Sequence, residues 1–247
     1  SGGDGSITYQ WKKDGVVLSS SNSATFDPGI SDGAGAYTRE AKDGTCVSFT
    51  ASTGTWTVSA YNAFNAGTIS STGESYCSTG SPSSTITSSS AASGGDGSIS
   101  YTWHLNGGSA IGGATSATYA PTAAGTYTRK AADGTCSTGG TTSSGSWVVT
   151  EVAAPNAGTI SGTNNTNIGQ TTSLSSSGGD AGGSWSSGDE NIATVDGSGV
   201  VTGVAAGTVD ITYTVSATAP CITDATDTYS VTINSSTISK LFFSFSK

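Results

Sequence analysis

One stretch of this chain occurs twice, and the distance between the copies constrains the fold more than any other feature. Residues 93–136 open SGGDGSISYTW, pass through ATYAPTAAGTYTRK and close on AADGTC. Residues 1–46 open SGGDGSITYQW, pass through ATFDPGISDGAGAYTRE and close on AKDGTC. Trp11 thus answers Trp103, Tyr37 answers Tyr127, and Cys46 answers Cys136. NAGTIS begins at Asn65 and again at Asn156, a period of 91 residues. That is the length of a whole small domain and far longer than one solenoid turn. The chain reads as three units in a row, 1–64, 65–155 and 156–234, followed by a tail, 235–247.

The repeated stretch has the period of a strand. Ile99, Tyr101, Trp103 and Leu105 alternate with Ser100, Thr102 and His104, one face apolar and the other polar. Ile7, Tyr9 and Trp11 repeat the pattern against Thr8, Gln10 and Lys12. With Tyr37 and Trp56 they make up the expected core of the first unit. Asn106-Gly107 and Asp14-Gly15 supply turns. Short strands are expected at 24–26 and 117–119, each ended by a proline two residues on. Residues 56–58, 147–152 and 229–233 read as the closing strands of their units. Linkers 61–65 and 153–156 are short, which predicts a stiff row.

Composition agrees. Helix formers are rare, and Thr, Val, Ile, Tyr and Trp are common, so the expected class is all-β. Gly and Ser richness alone would also suit a disordered chain, but the ordered alternation argues against that. Eight basic residues, scattered, stand against seventeen acidic ones, for a formal charge of −9. No basic patch invites nucleic acid, and the mild acidity serves solubility. No apolar run is long enough to span a bilayer, and with neither an initiator Met nor a signal peptide the chain reads as a mature or excised segment. Low charge and domain-spaced cysteines point to an extracellular setting.

Nothing in the sequence assembles catalytic, metal or cofactor chemistry. His104 is the one histidine and falls on the polar face. The loops at Asp4, Asp96 and Asp180 are Gly-rich but lack a phosphate-loop ending. One Asp per loop is thin for calcium. Asp189, Glu190 and Asp196 are the densest acidic cluster, without a sugar cleft around them. Five Trp and nine Tyr could form a carbohydrate platform, but most sit at alternating core positions.

Two resemblances follow from particular residues. GAYT at 35–38 and GTYT at 125–128 resemble the tyrosine corner of immunoglobulin-like sandwiches. Where that family places a cysteine two residues on, this chain has Arg39 and Arg129, so the usual inter-sheet disulfide is absent. A buried arginine there would need a partner, or must reach out to solvent. In the third unit, SWSS, NIATVD, GVVTGV and GTVDITYTV resemble the bacterial immunoglobulin-like domain of the second group, of invasin and intimin type, over most of 168–233. The first two units resemble repeats of large surface proteins of Bacteroidota-type bacteria. These resemblances imply three tandem immunoglobulin-like β-sandwiches in a cell-surface stalk or adhesive module, and imply no enzyme.

Four cysteines allow three pairings. Cys77 lies early in the middle unit and Cys136 late, so Cys77–Cys136 is the expected bridge. It would close a loop of about 60 residues and contribute roughly 4 kcal/mol at most. Cys46–Cys77 with Cys136–Cys221 is the alternative. The first unit has nothing to match residues 65–92, whose GTIS and STITS read as two opening strands. Its core would be open and its sheet edge unpaired. At the other end, Leu241, Phe243 and Phe245 share one face of a surplus strand and Phe242 lies on the other. An exposed row of that kind would aggregate. Gap and surplus suggest a structural subunit that polymerises head-to-tail with copies of itself, by strand donation. An adhesin stalk segment, meeting host or environmental ligands through a tip elsewhere, and a carbohydrate-binding accessory module are the alternatives.

Overall fold

The computed structural model describes residues 4–19 and 21–235, and every regular element among them is a strand. The first six are β1 (Thr8–Lys13), β2 (Val16–Val17), β3 (Gly35–Lys42), β4 (Thr50–Ala51), β5 (Trp56–Val58) and β6 (Asn62–Asn65). Then come β7 (Thr68–Ile69), β8 (Glu74–Cys77), β9 (Ser88–Ser90), β10 (Ser93–Gly95), β11 (Ser100–Leu105), β12 (Gly125–Ala132), β13 (Thr141–Thr142) and β14 (Trp147–Val152). The rest are β15 (Thr159–Gly162), β16 (Asn165–Asn167), β17 (Thr171–Ser177), β18 (Ser184–Ser187), β19 (Ala193–Val195), β20 (Val200–Gly203), β21 (Gly207–Val215) and β22 (Ala225–Asn234). The contacts divide the chain into two compact units: 1–66 with 92–100 and 131–141, and 67–91 with 101–130 and everything from 142 on.

In the first of these, β2, β1, β3 and β4 pair in that order, and β5 also pairs with β3. The β1–β2 hairpin turns at Asp14-Gly15, whose φ values of 49° and 84° belong to the primed turn that matches strand twist. The register places Trp11 opposite Arg39 and Lys13 opposite Tyr37. β6 pairs with β10 in a separate two-stranded ribbon.

In the second, β11, β12, β14 and β8 form one sheet with β13 at the side of β12, and β7 pairs with β9. Ile69 on β7 and Ile86 meet Trp103, Tyr127, Trp147 and Val149 in a single apolar cluster, so the β7–β9 pair roofs the larger sheet. Residues 157–233 form two four-stranded sheets, β15-β17-β20-β19 and β16-β22-β21-β18. Between them lie Ile160, Leu174, Val201, Ile211, Val231 and Ile233. β21 shows why: its inward positions 209, 211, 213 and 215 are buried while those between them are not. Both are β-sandwiches of the immunoglobulin-like kind, two sheets closed over one core.

Three expectations are corrected. Residues 24–26 and 117–119 are not strands. Tyr119 makes one bridge, to Ile86, and both segments instead carry an aromatic ring onto the core tryptophan. Ile7 and Trp56, expected in the core, are 52% and 54% exposed, because no described strand lies over them. The sulfur pairing also differs. Cys77 is bonded to Cys221, across 144 residues, and Cys136, like Cys46, is an exposed free thiol. The sheet explains the change. β8 runs parallel to β14 and sets Cys77 opposite Val152, its last residue. β12 runs antiparallel and has Tyr127 opposite Trp147, the first residue of β14. The chain that carries Cys136 leaves β12 beyond that end. "Early" and "late" in sequence are opposite ends of one sheet.

Candidate functional site

Two equivalent constellations are built from the repeated residues. In the middle sandwich Trp103, fully buried on β11, donates its indole N–H to Ser116 O at 2.9 Å and stacks on Tyr119 at 5.5 Å. Tyr127, on β12, sends its hydroxyl back to Ala123 O at 2.9 Å. Arg129, two residues on and so on the same face, is completely buried. It donates to Ser143 Oγ at 3.0 Å and Ala117 O at 2.8 Å, and lies over the rings of Tyr101 and Trp103 at 4.7 and 5.9 Å. Hydroxyl, carbonyl and π-faces thus meet the guanidinium within the core, and burial draws its pKa below the ordinary arginine value.

The first unit repeats this piece by piece. Trp11 donates to Ser23 O at 3.0 Å, and Phe26 bridges Trp11 and Tyr37 at 5.7 and 6.0 Å. The Tyr37 hydroxyl donates to Gly33 O at 2.6 Å, and burial pushes its pKa up. Arg39 donates to Ser52 Oγ at 3.2 Å and Ala24 O at 2.8 Å, over Tyr9 and Trp11 at 5.2 and 5.9 Å.

What differs is the cover. In the middle sandwich β9 brings Ser88 Oγ to Arg129 Nη1 at 2.5 Å. β7 brings Ile69, whose N–H donates to Ser144 O at 2.9 Å. A Cβ added at Gly145 would stand 2.7 Å from the Ile69 carbonyl oxygen, and Trp147 is 7% exposed. In the first unit a Cβ at the matching Gly54 meets nothing within 4 Å, and the matching Trp56 is exposed. Trp11 and Tyr9 are half-buried, whereas Tyr37 is buried. The result is an open groove of about 320 Å³, lined by Trp11, Tyr37, Arg39 and residues 52–56. The rings of Trp11, Tyr37 and Trp56 and the Arg39 side chain line it together with Ser52, Thr53, Gly54 and Thr55. Such a groove can take an extended apolar segment and satisfy its main chain.

The remaining candidates are held by backbone contacts. Asp4 accepts from Ser6 N, Asp96 from Ser98 N, and Asp180 from Asn156 N. Asp189 accepts from Asn191 N, and Asp196 from Ser198 N and Val200 N. The His104 ring meets Gly108 O and Thr102 Oγ1. Among the described residues no group of three His, Cys, Asp or Glu side chains could hold a metal. Leu241, Phe243 and Phe245 lie outside the described residues.

Sequence reading passed over Asp133. It is buried and accepts from the backbone N–H of Thr135, Cys136, Ser137 and Asp96, at 3.2, 2.6, 2.7 and 3.3 Å. Burial raises its pKa, but these donors outweigh it and hold the carboxyl below the usual range. Its contribution is present above the unfolded value of about 3.9 and is lost as pH falls through the lower folded one. Acid unfolding of Asp133→Asn, followed by circular dichroism, should therefore show a shallower loss of stability below about pH 4. An unchanged acid limb would refute the role.

The family described as bacterial immunoglobulin-like domain (group 2) matches residues 159–223. No curated protein matches the sequence. Several solved structures are similar to the chain at low identity. An adhesin that helps an Antarctic bacterium bind ice is 18% identical, with 94% of this chain and 66% of that one covered and a TM-score of 0.41. Immunoglobulin domains 1–5 of Sidekick-1 are 12% identical, with 93% and 52% covered and a TM-score of 0.38. This chain therefore spans about half of that fragment. A C-terminal fragment of intimin in complex with the intimin-binding domain of its translocated receptor is 18% identical, with 69% and 64% covered and a TM-score of 0.29. Among the described residues no helix is long and apolar enough to cross a membrane.

Proposed function

We propose that this chain is an extracellular structural subunit of a bacterial surface filament. In this reading 1–64, 65–155 and 156–234 are three successive sandwiches. The groove of the first accepts the tail, 235–247, of the next copy. The observation that carries the reading is the open groove at Trp11, Arg39 and Gly54, on the face that β7 and β9 cover in the middle sandwich. Burying Leu241, Phe243 and Phe245 would contribute roughly 5–9 kcal/mol at about 1.5–3 kcal/mol per side chain. Ordering the tail offsets part of that. Such a contact joins unlike surfaces and does not close on itself, so it builds a fibre.

Electron microscopy of the purified chain should show long filaments, and the chain lacking 235–247 should show none. Phe243→Asp should act like the deletion, because it gives up the buried ring and makes a carboxylate shed its water on entering the groove. Phe242→Asp, on the other face of the strand, should be far milder. Filaments that survive the deletion would assign the groove to another occupant. Single particles from the intact chain would leave the adhesin stalk as the better description.

A further inference from the structure

The tail carries a motif that the aromatic residues overshadow. Thr-Ile-Ser occurs three times in the chain, at 68–70, 159–161 and 237–239. The first two copies are opening strands, on β7 and β15, and each puts its isoleucine into a core: Ile69 is 1% exposed and Ile160 4%. Ile69 is also the residue that closes the middle sandwich over Gly145 and Trp147. The groove in the first unit is the space that this isoleucine would fill. Resting on the strand-donation reading, we infer that Thr237-Ile238-Ser239 of one copy takes in the next the place that Thr68-Ile69-Ser70 holds in the middle sandwich. Ile238 is then the anchor. Because it lies an odd number of residues from Leu241, Phe243 and Phe245, the strand must break after Ser239, as the chain does between β7 and β8 in the middle sandwich, for those three to turn inward as well. Its N–H donates to the carbonyl of Thr53, as that of Ile69 donates to Ser144.

Charge decides between this register and its rival. The middle sandwich has a second buried isoleucine, Ile86, within Ser84-Thr85-Ile86-Thr87-Ser88, and residues 236–238 match its first three letters. In that register Lys240 would stand where Ser88 meets Arg129, and so against the guanidinium of Arg39. Two cations at one partly desolvated site repel. In the β7 register Lys240 falls at the place of Ser71, which is exposed. The match is bounded on both sides. Ser236 and Phe242 stand where Gly67 and Gly73 have φ of 69° and 74°, so the backbone before and after these three residues follows its own path.

The test is a disulfide trap. Thr68 and Ser144 are bridge partners in the middle sandwich, and their counterparts across the contact are Thr237 and Thr53. The full chain with Cys46→Ser, Cys136→Ser, Thr53→Cys and Thr237→Cys should give a ladder of covalent multimers on a non-reducing gel, collapsing on reduction. Thr68→Cys with Ser144→Cys, in the same background, should close within one chain and give no ladder. Ile238→Asp should abolish filaments, and Lys240→Asp should leave their stability unchanged. Tail-dependent filaments without the ladder, or filaments strengthened by Lys240→Asp, would overturn the register and leave strand donation standing. A chain that shows no tail-dependent association at all would remove both.

Discussion

Trp103→Ala should cost the middle sandwich about 3–5 kcal/mol, enough to remove most of the stability of a domain this size. The indole is fully buried, donates to Ser116 O and carries Tyr119 and Arg129 on its faces, so its loss leaves a cavity and an uncovered guanidinium. Trp11→Ala removes the same ring from the same constellation, yet in the unassembled chain it should cost much less. Trp11 is only half-buried, and water already reaches the groove it lines. Calorimetry that resolves the separate transitions would show the contrast directly. In assembled filaments it should narrow, because Trp11 would then be covered as Trp103 is. Equal losses in the monomer would mean that the first unit is closed in solution, and the groove reading would fail.

The contrast between those two tryptophans marks how far sequence reaches here. Alternation found both, because a pleated strand repeats every two residues wherever it lies. Alternation says which residues share a face. It does not say whether anything covers that face, so Ile7 and Trp56 read as core and prove exposed. Tyr119 and Phe26 read as strand residues for a related reason. Their apolar character comes from stacking on a tryptophan, a contact that needs no ladder.

Arg129 was legible as a problem without its solution. A charged residue on the tyrosine side of a strand had to reach solvent or find a partner, and the partners come from four separate segments. Ser88, Tyr101, Ala117 and Ser143 are spread over 56 positions, and no local pattern links a serine hydroxyl at 88 to a guanidinium at 129. The repeat does hold a usable trace. Ser52, Arg39, Tyr9 and Trp11 recur as Ser143, Arg129, Tyr101 and Trp103, and a polar residue that recurs with a core aromatic is a candidate for burial beside it.

Reducing the Cys77–Cys221 bridge should lower stability by up to about 5 kcal/mol, the value expected from chain entropy for a loop of 144 residues. The bridge does more than close a loop. Ser78 N donates to Val152 O at 2.8 Å, and Ala154 N donates to Ser78 Oγ at 2.9 Å. The turn after β8 therefore holds the segment that leads from β14 into β15. Cutting the bridge frees Cys77 at one end of this clasp and Cys221, in the loop before β22, at the other. Cys77→Ser and Cys221→Ser should each reproduce the effect of reductant, and reductant should add nothing to either. Cys46→Ser and Cys136→Ser should leave the melting temperature unchanged, since both thiols are exposed and unbridged. Alkylation of the folded, unreduced chain should label Cys46 and Cys136 and spare the other two. Labelling of Cys77 or Cys221 would refute the pairing. A bridge from Cys77 to Cys136 in the peptide map would reverse the assignment of β8 to the Val152 end of β14, because a disulfide cannot span the length of a sheet.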